Sequence, residues 1–149
     1  MSFTKLIKIL NDKSYTISTI ESLTGGGFAY FLTQVPGASS VFEKSLVTYS
    51  NESKMEAGVN KDILKQYGAV SNEVALEMLS LLDSDIAISF TGNAGPISMD
   101  DKPVGRVYIG IRILDKIEIL EFNFKGDREE IRKQSIEAIL YYLLEYFQN

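Results

Sequence analysis

The chain has 149 residues, 45% of them hydrophobic and 23% charged, and a formal net charge of −5. This length suits one domain with a hydrophobic core, so we expect a single domain over residues 1–149. No apolar run approaches the roughly 20 residues that span a bilayer, so we expect no membrane insertion and, by default, a cytoplasmic location. The acidic balance argues against direct nucleic-acid binding, and the lack of Cys and His excludes a thiol nucleophile, a Ser-His-Asp triad, a disulfide and the usual zinc sites.

The first half of the chain predicts helices and strands in alternation. Apolar residues at helical spacing indicate a helix at the N-terminus, and the β-branched residues 15–20 indicate a strand. Three glycines follow, and then a helix is predicted over 28–35. After the break at PGASS, residues 42–50 predict a second strand, followed by Ser50 or Asn51 as the cap of a helix.

The second half continues the alternation and ends in a hairpin and a long helix. Helices are predicted over 61–67 and, capped by Ser71, over 72–82, before a buried strand at 85–90. Residues 104–124 predict a β-hairpin, and an amphipathic helix closes the chain. We therefore predict an α/β fold: a three-layer α/β/α sandwich with a mixed, mostly parallel sheet of about five strands. Glycine loops leave two of the strands, so both loops should face one crevice.

The stretch IESLTGGGFAY, residues 20–30, places three glycines beside Ser22 and Thr24. Glycine loses the most backbone freedom on folding, so such a run needs a cause. One is a tight turn in which Ser22 or Thr24 caps the helix. Another is a dinucleotide loop, a weak match because the last glycine of G-x-G-x-x-G is missing. A third fits better: helix-terminal amides, such as those of Gly25 and Gly26, form an anion or oxyanion site beside an exposed hydroxyl.

A serine nucleophile needs a base, and this chain can offer only lysine, carboxylate or tyrosine. Tyr49 ends a predicted strand and Lys54 follows in the next turn, so both could reach the edge where Ser22 lies. Lysine acts as a base only where burial or a nearby cation lowers its pKa. The same two residues also fit a solvated lysine and a packed tyrosine, so the pattern alone leaves both interpretations open.

Two later segments carry further candidates. TGNAGP, residues 91–96, is either a plain turn or a loop in which Thr91 and backbone amides hold a polar substrate group. In FKGDREEIR, Asp127 is a natural helix cap, and Arg128 is either a surface charge or a phosphate clamp, because its planar guanidinium suits phosphate oxygens.

These segments together resemble the C-terminal domain of the competence- and damage-inducible CinA proteins, also found as stand-alone nicotinamide-nucleotide amidohydrolases. The likeness runs from about residue 3 to the C-terminus. It rests on ESLTGG, VPGASSVFEKSLVTYSNESK, YGAVSNEVA, TGNAGP, KPVG and FKGDR, in this order and at fitting spacing. An ordered set of motifs is more specific than any one loop.

The resemblance implies hydrolysis of the carboxamide of nicotinamide mononucleotide to nicotinic acid mononucleotide and ammonia, with no metal and no cofactor. It assigns the catalytic roles to Ser22 as nucleophile, Tyr49, and Lys54 as the base that takes the serine proton directly or through Tyr49. Loop amides would meet the oxyanion. The implied substrate-binding residues are Thr24, Gly25, Gly26, Thr91, Gly92 and Arg128, the last at the nucleotide end.

The chain departs from the family pattern at two loops. Leu23 stands where the family usually has cysteine, Asn93 stands where an apolar residue is common, and residues 97–101 read ISMDD in place of further glycines. We expect this altered second loop to border the pocket and to bear on the choice of substrate. The family's full-length members carry an additional N-terminal domain that this chain lacks, so a stand-alone form is expected.

The alternative function is a non-catalytic nucleotide sensor or partner-binding module of the same fold, because pocket loops can persist after chemistry is lost. Retention of Ser22, Tyr49 and Lys54 together favours the enzyme. The expected partner is a small-molecule nucleotide. A homo-oligomer stays open, because the aromatic residues on the last helix, among them Tyr141, fit either a core or a dimer surface.

Overall fold

The computed structural model describes residues 2–148. Its strands are β1 (Ile17–Glu21), β2 (Phe42–Val47), β3 (Ile86–Gly92), β4 (Arg106–Ile113) and β5 (Lys116–Asn123). Its helices are α1 (Phe3–Lys13), α2 (Gly27–Thr33), α3 (Asn51–Ala57), α4 (Lys61–Tyr67), α5 (Asn72–Leu79) and α6 (Arg128–Gln148), with a short 3-10 helix at Ala38–Ser40. The order of helices and strands agrees with the predicted order.

The five strands form one mixed sheet in the order β2-β1-β3-β4-β5. β1 is parallel to both of its neighbours, whereas β4 is antiparallel to β3 and β5, so β4 alone runs against the other four strands. This confirms the mixed, mostly parallel sheet. From β1 the chain crosses to one side to form β2 and to the other side to form β3. In open α/β sheets such a reversal marks the usual place for ligands.

Helices cover both faces of this sheet, which confirms the three layers. On one face α1, α2 and α6 pack over alternate residues of the central strands, such as Ile17 and Phe90. On the other face α4 and α5 pack over the intervening residues, such as Ile20 and Ala87. On α6, Tyr141 is exposed. Within residues 2–148, no helix has the length and apolar character that a membrane span requires.

Side-chain caps fix several of the predicted boundaries. Ser50, Ser71 and Asp127 each accept a hydrogen bond from the backbone amide three residues further on, as expected at helix N-termini. The third strand is longer than predicted and includes Thr91 and Gly92, because both residues pair with β4. Thr91 and Gly92 are therefore held by pairing with β4 and do not belong to a free loop.

Gly105 lies in the turn that precedes β4, and its substitution tests how tightly that turn is packed. Its φ is +95°, and a Cβ added there would lie 2.0 Å from the carbonyl oxygen of Phe124. We expect Gly105→Ala to lower the free energy of unfolding by about 3 kcal/mol or more, since left-handed strain and a backbone clash add together. Urea unfolding followed by circular dichroism measures the change.

Gly37→Ala is the matched control for this substitution. Gly37 has nearly the same φ, +96°, but the nearest atoms to an added Cβ lie at 3.5 Å. Only the backbone strain applies there, so the expected loss is about 1–2 kcal/mol. Equal losses for the two variants would show that the close approach to Phe124 is unimportant.

Candidate active site

The end of β1 sends two adjacent polar side chains to opposite faces of the sheet. Glu21 points towards α2 and is fully buried. Its carboxylate accepts hydrogen bonds from the amides of Phe28 and Ala29, both at 3.1 Å, and from the hydroxyl of Thr24 at 2.6 Å. The next residue, Ser22, therefore points to the other face. The N-terminus of α2 is occupied by a carboxylate of the protein itself.

On that other face, Ser22 meets a buried lysine from the first turn of α3. The Nζ of Lys54 lies 2.9 Å from the Oγ of Ser22, 2.7 Å from the carbonyl oxygen of Thr48 and 3.2 Å from that of Tyr49. Only 1% of the Lys54 surface and 7% of the Ser22 surface are exposed. Lys54 is therefore not the solvated lysine that the sequence left open.

The three contacts of Lys54 suit a neutral amine as well as an ammonium. Carbonyl oxygens only accept, so Thr48 and Tyr49 take two N–H groups. In the neutral state the lone pair is then left for the third direction, and Ser22 can donate its hydroxyl proton to it. In the charged state the third N–H donates to the Ser22 oxygen. The geometry thus connects the two protonation states by a single proton transfer.

Burial makes the neutral state accessible. Loss of hydration lowers the pKa of Lys54 from 10.5 to about 8, and the negative charge of Asp100 opposes this shift by a smaller amount. With that pKa, about one molecule in ten has a neutral Lys54 at pH 7. This corresponds to the tuning that a catalytic lysine needs.

Ser22 and Lys54 line a cavity of about 640 Å³ at the carboxyl ends of β1, β2 and β3. This volume lies in the usual range for a small-molecule site. The lining comprises Ser22, Leu23, Tyr49, Ser50, Asn51, Lys54, Ala69, Thr91, Gly92, Asn93, Ala94, Gly95, Pro96, Ile97, Met99 and Arg128. The altered second loop borders the cavity, as expected. A second, more open depression of similar volume lies around residues 33–44, and its charged residues are exposed.

Tyr49 and Arg128 form the rim of this cavity. Arg128 donates from Nη1 to the carbonyl oxygen of Gly95 at 2.5 Å and from Nη2 to the Tyr49 hydroxyl. Tyr49 is 55% exposed, and only its backbone carbonyl contacts Ser22 and Lys54. The Tyr49 hydroxyl therefore does not lie between Ser22 and Lys54, as a proton relay through it would require. Ser22 and Lys54 are in direct contact, which is the geometry that the other expected route needs.

The remaining substrate-binding candidates separate into two groups. Thr91 and Gly92 line the cavity, and the buried Thr91 hydroxyl donates to the carbonyl oxygen of Ala69 at 2.7 Å. Thr24, Gly25 and Gly26 lie outside the cavity wall. The structure thus brings together six of the candidates: Ser22, Tyr49, Lys54, Thr91, Gly92 and Arg128. Thr24, Gly25 and Gly26 are not part of this group.

The glycines shape the turn after Ser22. Gly25 and Gly26 have positive φ, and a Cβ on Gly27 would lie 2.8 Å from the Cδ1 of Ile136 in α6. The Gly25 amide donates to the carbonyl oxygen of Ser22 at 2.9 Å and so closes the turn. Among residues 2–148, no group accepts a hydrogen bond from the amide of Leu23, which does line the cavity.

Two residues of this region were given no role from the sequence. Glu21 anchors α2, and a charged residue at the end of an otherwise uncharged strand could have indicated it. Arg132 donates from Nε to the carbonyl oxygen of Leu23 at 2.9 Å and from Nη2 to that of Thr24 at 3.2 Å. Its spacing of four residues from Arg128 places both on one face of α6, which was the available signal.

Known proteins match this chain in sequence and in structure. The family model described as the CinA C-terminal domain matches residues 2–147. The CinA-like protein of Fusobacterium nucleatum is 50% identical over 137 residues, which is 91% of this chain and 34% of that protein. The CinA-like protein of Endomicrobium trichonymphae is 48% identical over 139 residues, covering 89% and 32%. The chain thus spans about a third of the length of these curated relatives.

Solved structures of similar length have the same fold. A CinA superfamily protein from Klebsiella pneumoniae 700603 superposes with a TM-score of 0.93 at 28% identity, covering 98% of this chain and 95% of that one. The competence/damage inducible protein CihA from Agrobacterium tumefaciens gives a TM-score of 0.91 at 30% identity, covering 99% and 93%.

Burial of Lys54 predicts a pH-dependent difference in stability between the protein and Lys54→Met. The folded protein releases this proton near pH 8 and the unfolded chain near pH 10.5, so unfolding takes up a proton between these values. The protein should therefore gain stability relative to the variant by about 1.4 kcal/mol per pH unit across that window. Below pH 8 the difference should be constant.

Urea unfolding of both proteins at pH 6 to 10 measures this difference. Taking the difference removes the other titrating groups, which the two proteins share. Lys65→Met, which removes an exposed lysine of α4, is the control for the loss of a lysine side chain. A difference for Lys54→Met that does not change with pH would mean that burial does not lower the pKa of Lys54.

Proposed function

The chain belongs to the CinA C-terminal domain family, and we propose that it hydrolyses the carboxamide of nicotinamide mononucleotide to nicotinic acid mononucleotide and ammonia. The observation that carries the proposal is the 2.9 Å contact between the Nζ of the buried Lys54 and the Oγ of Ser22, beside a cavity that suits a small molecule. The substrate itself is inferred from the resemblance of the ordered motifs.

Acylation begins with the neutral form of Lys54. The Ser22 oxygen forms a bond to the carboxamide carbon while its proton passes to the lysine lone pair. The carbonyl π electrons move onto oxygen and give a tetrahedral oxyanion. When this intermediate collapses, the C–N bond breaks, and the Lys54 ammonium returns the proton to the leaving nitrogen as ammonia departs.

The amide of Leu23 is the best-placed donor for the oxyanion. It follows the nucleophile directly, belongs to a residue that lines the cavity and has no acceptor within residues 2–148. In serine hydrolases built on a strand-to-helix turn, the amide after the nucleophile has this role. One such preorganised donor is typically worth about 3 kcal/mol in the transition state. This replaces the glycine amides as the expected oxyanion donors.

Deacylation reuses the same groups. A water molecule attacks the Ser22 ester, its proton passes to neutral Lys54, and the second tetrahedral intermediate expels the serine oxygen. Lys54 then returns the proton to Ser22. The net reaction consumes one water and produces a carboxylic acid and ammonia, which ionise to carboxylate and ammonium, so no redox partner or further reactant is needed.

The nucleotide end of the substrate is assigned to the rim. Arg128 is the cation at the cavity mouth, and its guanidinium fork suits phosphate oxygens. Its present acceptors, the Tyr49 hydroxyl and the Gly95 carbonyl, are neutral. A phosphate dianion is a stronger acceptor than either, so substrate would displace them. Ile97 and Met99 provide apolar walls where the family pattern has glycines.

Ammonia release from nicotinamide mononucleotide tests the proposal. We expect turnover in chelator-containing buffer and its loss, by about 1,000-fold or more, in Ser22→Ala, because the nucleophile is removed. Coupled detection of ammonia and chromatography of nicotinic acid mononucleotide measure it. The Ser22→Ala fold should stay intact by circular dichroism.

Two results would contradict the enzyme. Full activity in Ser22→Ala would remove Ser22 as the nucleophile. Binding of the nucleotide in a calorimetric titration without any turnover would favour the alternative, a non-catalytic nucleotide sensor or partner-binding module. Thr33→Ala, on the second depression, is a control that should leave turnover unchanged.

The pH profile of kcat/KM tests Lys54 as the base. Only the neutral amine accepts the serine proton, so kcat/KM should rise about tenfold per pH unit below the lysine pKa and level off above it. The bend should lie near pH 8. Initial rates at low substrate from pH 6 to 10 measure it. A profile that is flat over this range, or that falls above pH 8, would contradict a lysine base.

A further inference from the structure

We infer that Arg132 is a positioning residue that holds the amide of Leu23 in place for the oxyanion. The inference deepens the proposed function and rests on it. Arg132 lies on α6, outside the cavity and more than 100 residues after Ser22 in the sequence, and it holds the turn that follows Ser22.

Arg132 binds both carbonyl groups that follow the nucleophile. Its Nε donates to Leu23 at 2.9 Å and its Nη2 to Thr24 at 3.2 Å. The two bonds come from one rigid guanidinium plane, so the two peptide groups are fixed relative to each other. Because a trans peptide directs its C=O and N–H oppositely, fixing these carbonyls towards α6 turns the amides of the same two peptides, those of Thr24 and Gly25, away from α6.

Leu23 is thereby restrained at both ends. Its carbonyl is bound to Arg132, while the preceding peptide carbonyl, that of Ser22, accepts from the Gly25 amide at 2.9 Å. Leu23 lines the cavity, and its amide has no acceptor within residues 2–148. The Leu23 amide belongs to the same peptide group as the Ser22 carbonyl. The Gly25 amide that holds this carbonyl belongs to the same peptide group as the Thr24 carbonyl, which Arg132 binds, so the direction of the Leu23 amide depends on Arg132 through that intermediate peptide.

The charge of Arg132 has no obvious structural use. Within residues 2–148 no carboxylate lies within salt-bridge distance of its guanidinium, although Arg106 and two lysines of the chain do form such pairs. A half-buried cation on the Thr24 carbonyl polarises that peptide and makes its Gly25 amide a stronger donor to the Ser22 carbonyl. This in turn makes the Leu23 amide, which shares a peptide group with the Ser22 carbonyl, a better donor to an anion. That favours the charge-bearing intermediate over the neutral substrate.

Arg132→Lys and Arg132→Ala test the inference with two readouts. Oxyanion binding occurs only in the transition state, so we expect kcat to fall by about 10- to 100-fold with KM changed less than about threefold. Arg132→Lys, which can hold one carbonyl, should lie between the protein and Arg132→Ala. Added guanidinium ion should restore part of the Arg132→Ala rate.

The second readout does not need the nucleotide. A fluorophosphonate reacts with Ser22 by forming an O–P bond and expelling fluoride, with the serine proton passing to Lys54, and its P–O group uses the same donor. Its labelling rate should fall in parallel with kcat. If the probe labels Ser22 but the protein does not hydrolyse nicotinamide mononucleotide, the proposed substrate is wrong, and the labelling rate still tests the role of Arg132. No labelling at all would overturn both.

Arg112→Lys and Arg112→Ala are the matched controls. Arg112 also donates to a carbonyl, that of Ser84 at 2.7 Å, at a point outside the cavity lining. These variants should lose comparable stability and keep kcat and the labelling rate, and guanidinium should not alter them. The inference is overturned if Arg132→Ala keeps kcat within about twofold, or if the Arg112 variants lose as much.

Discussion

The arrangement of this site depends on placing the amine of Lys54 out of water. Burying an ammonium costs several kcal/mol unless its hydrogen bonds are replaced. Two successive carbonyls, of Thr48 and Tyr49, replace them. They are free to do so because they follow the end of β2 and precede the first residue of α3. Ser50 then caps α3 and turns the chain, so that Lys54 in the first helical turn faces back to those carbonyls. The break between strand and helix thus creates the lysine site.

The alternation of side chains along β1 gives Ser22 its partner on one face of the sheet and its support on the other. Glu21 and Ser22 are adjacent, so one faces α2 and the other faces α3. The buried Glu21 carboxylate satisfies two amides of α2 and interacts favourably with the helix dipole. That helix end is consequently saturated. The turn after Ser22 is held by Glu21 through the Thr24 hydroxyl and by Arg132 through the Thr24 carbonyl, on two sides.

Local patterns in the sequence were sufficient for the order of the helices and strands and for naming Ser22 and Lys54 as candidates. The bounds of α4 were predicted as observed, and the caps at Ser50, Ser71 and Asp127 were correct, because propensity and capping act over a few residues. Ser22 and Lys54 followed from the lack of His and Cys and from the family resemblance. The direction of the Tyr49 hydroxyl was not predictable, because its partner, Arg128, is 79 residues away.

A contact between residues far apart in the sequence also explains the error about the glycine amides. A glycine run next to a serine is consistent with bare amides facing a ligand, and only the position of α6 decides otherwise. Gly27 leaves room for Ile136. Arg132 binds the carbonyls of the two residues before Gly25 and so holds the side of the turn that faces α6. Through Arg128, one turn before Arg132, α6 also contacts the second loop and the Tyr49 rim. The buried Ile131 and Ile139 fix that helix to the sheet. The rigidity of the cavity wall therefore comes from the core on the opposite face, and the site is complete only when the last helix has packed.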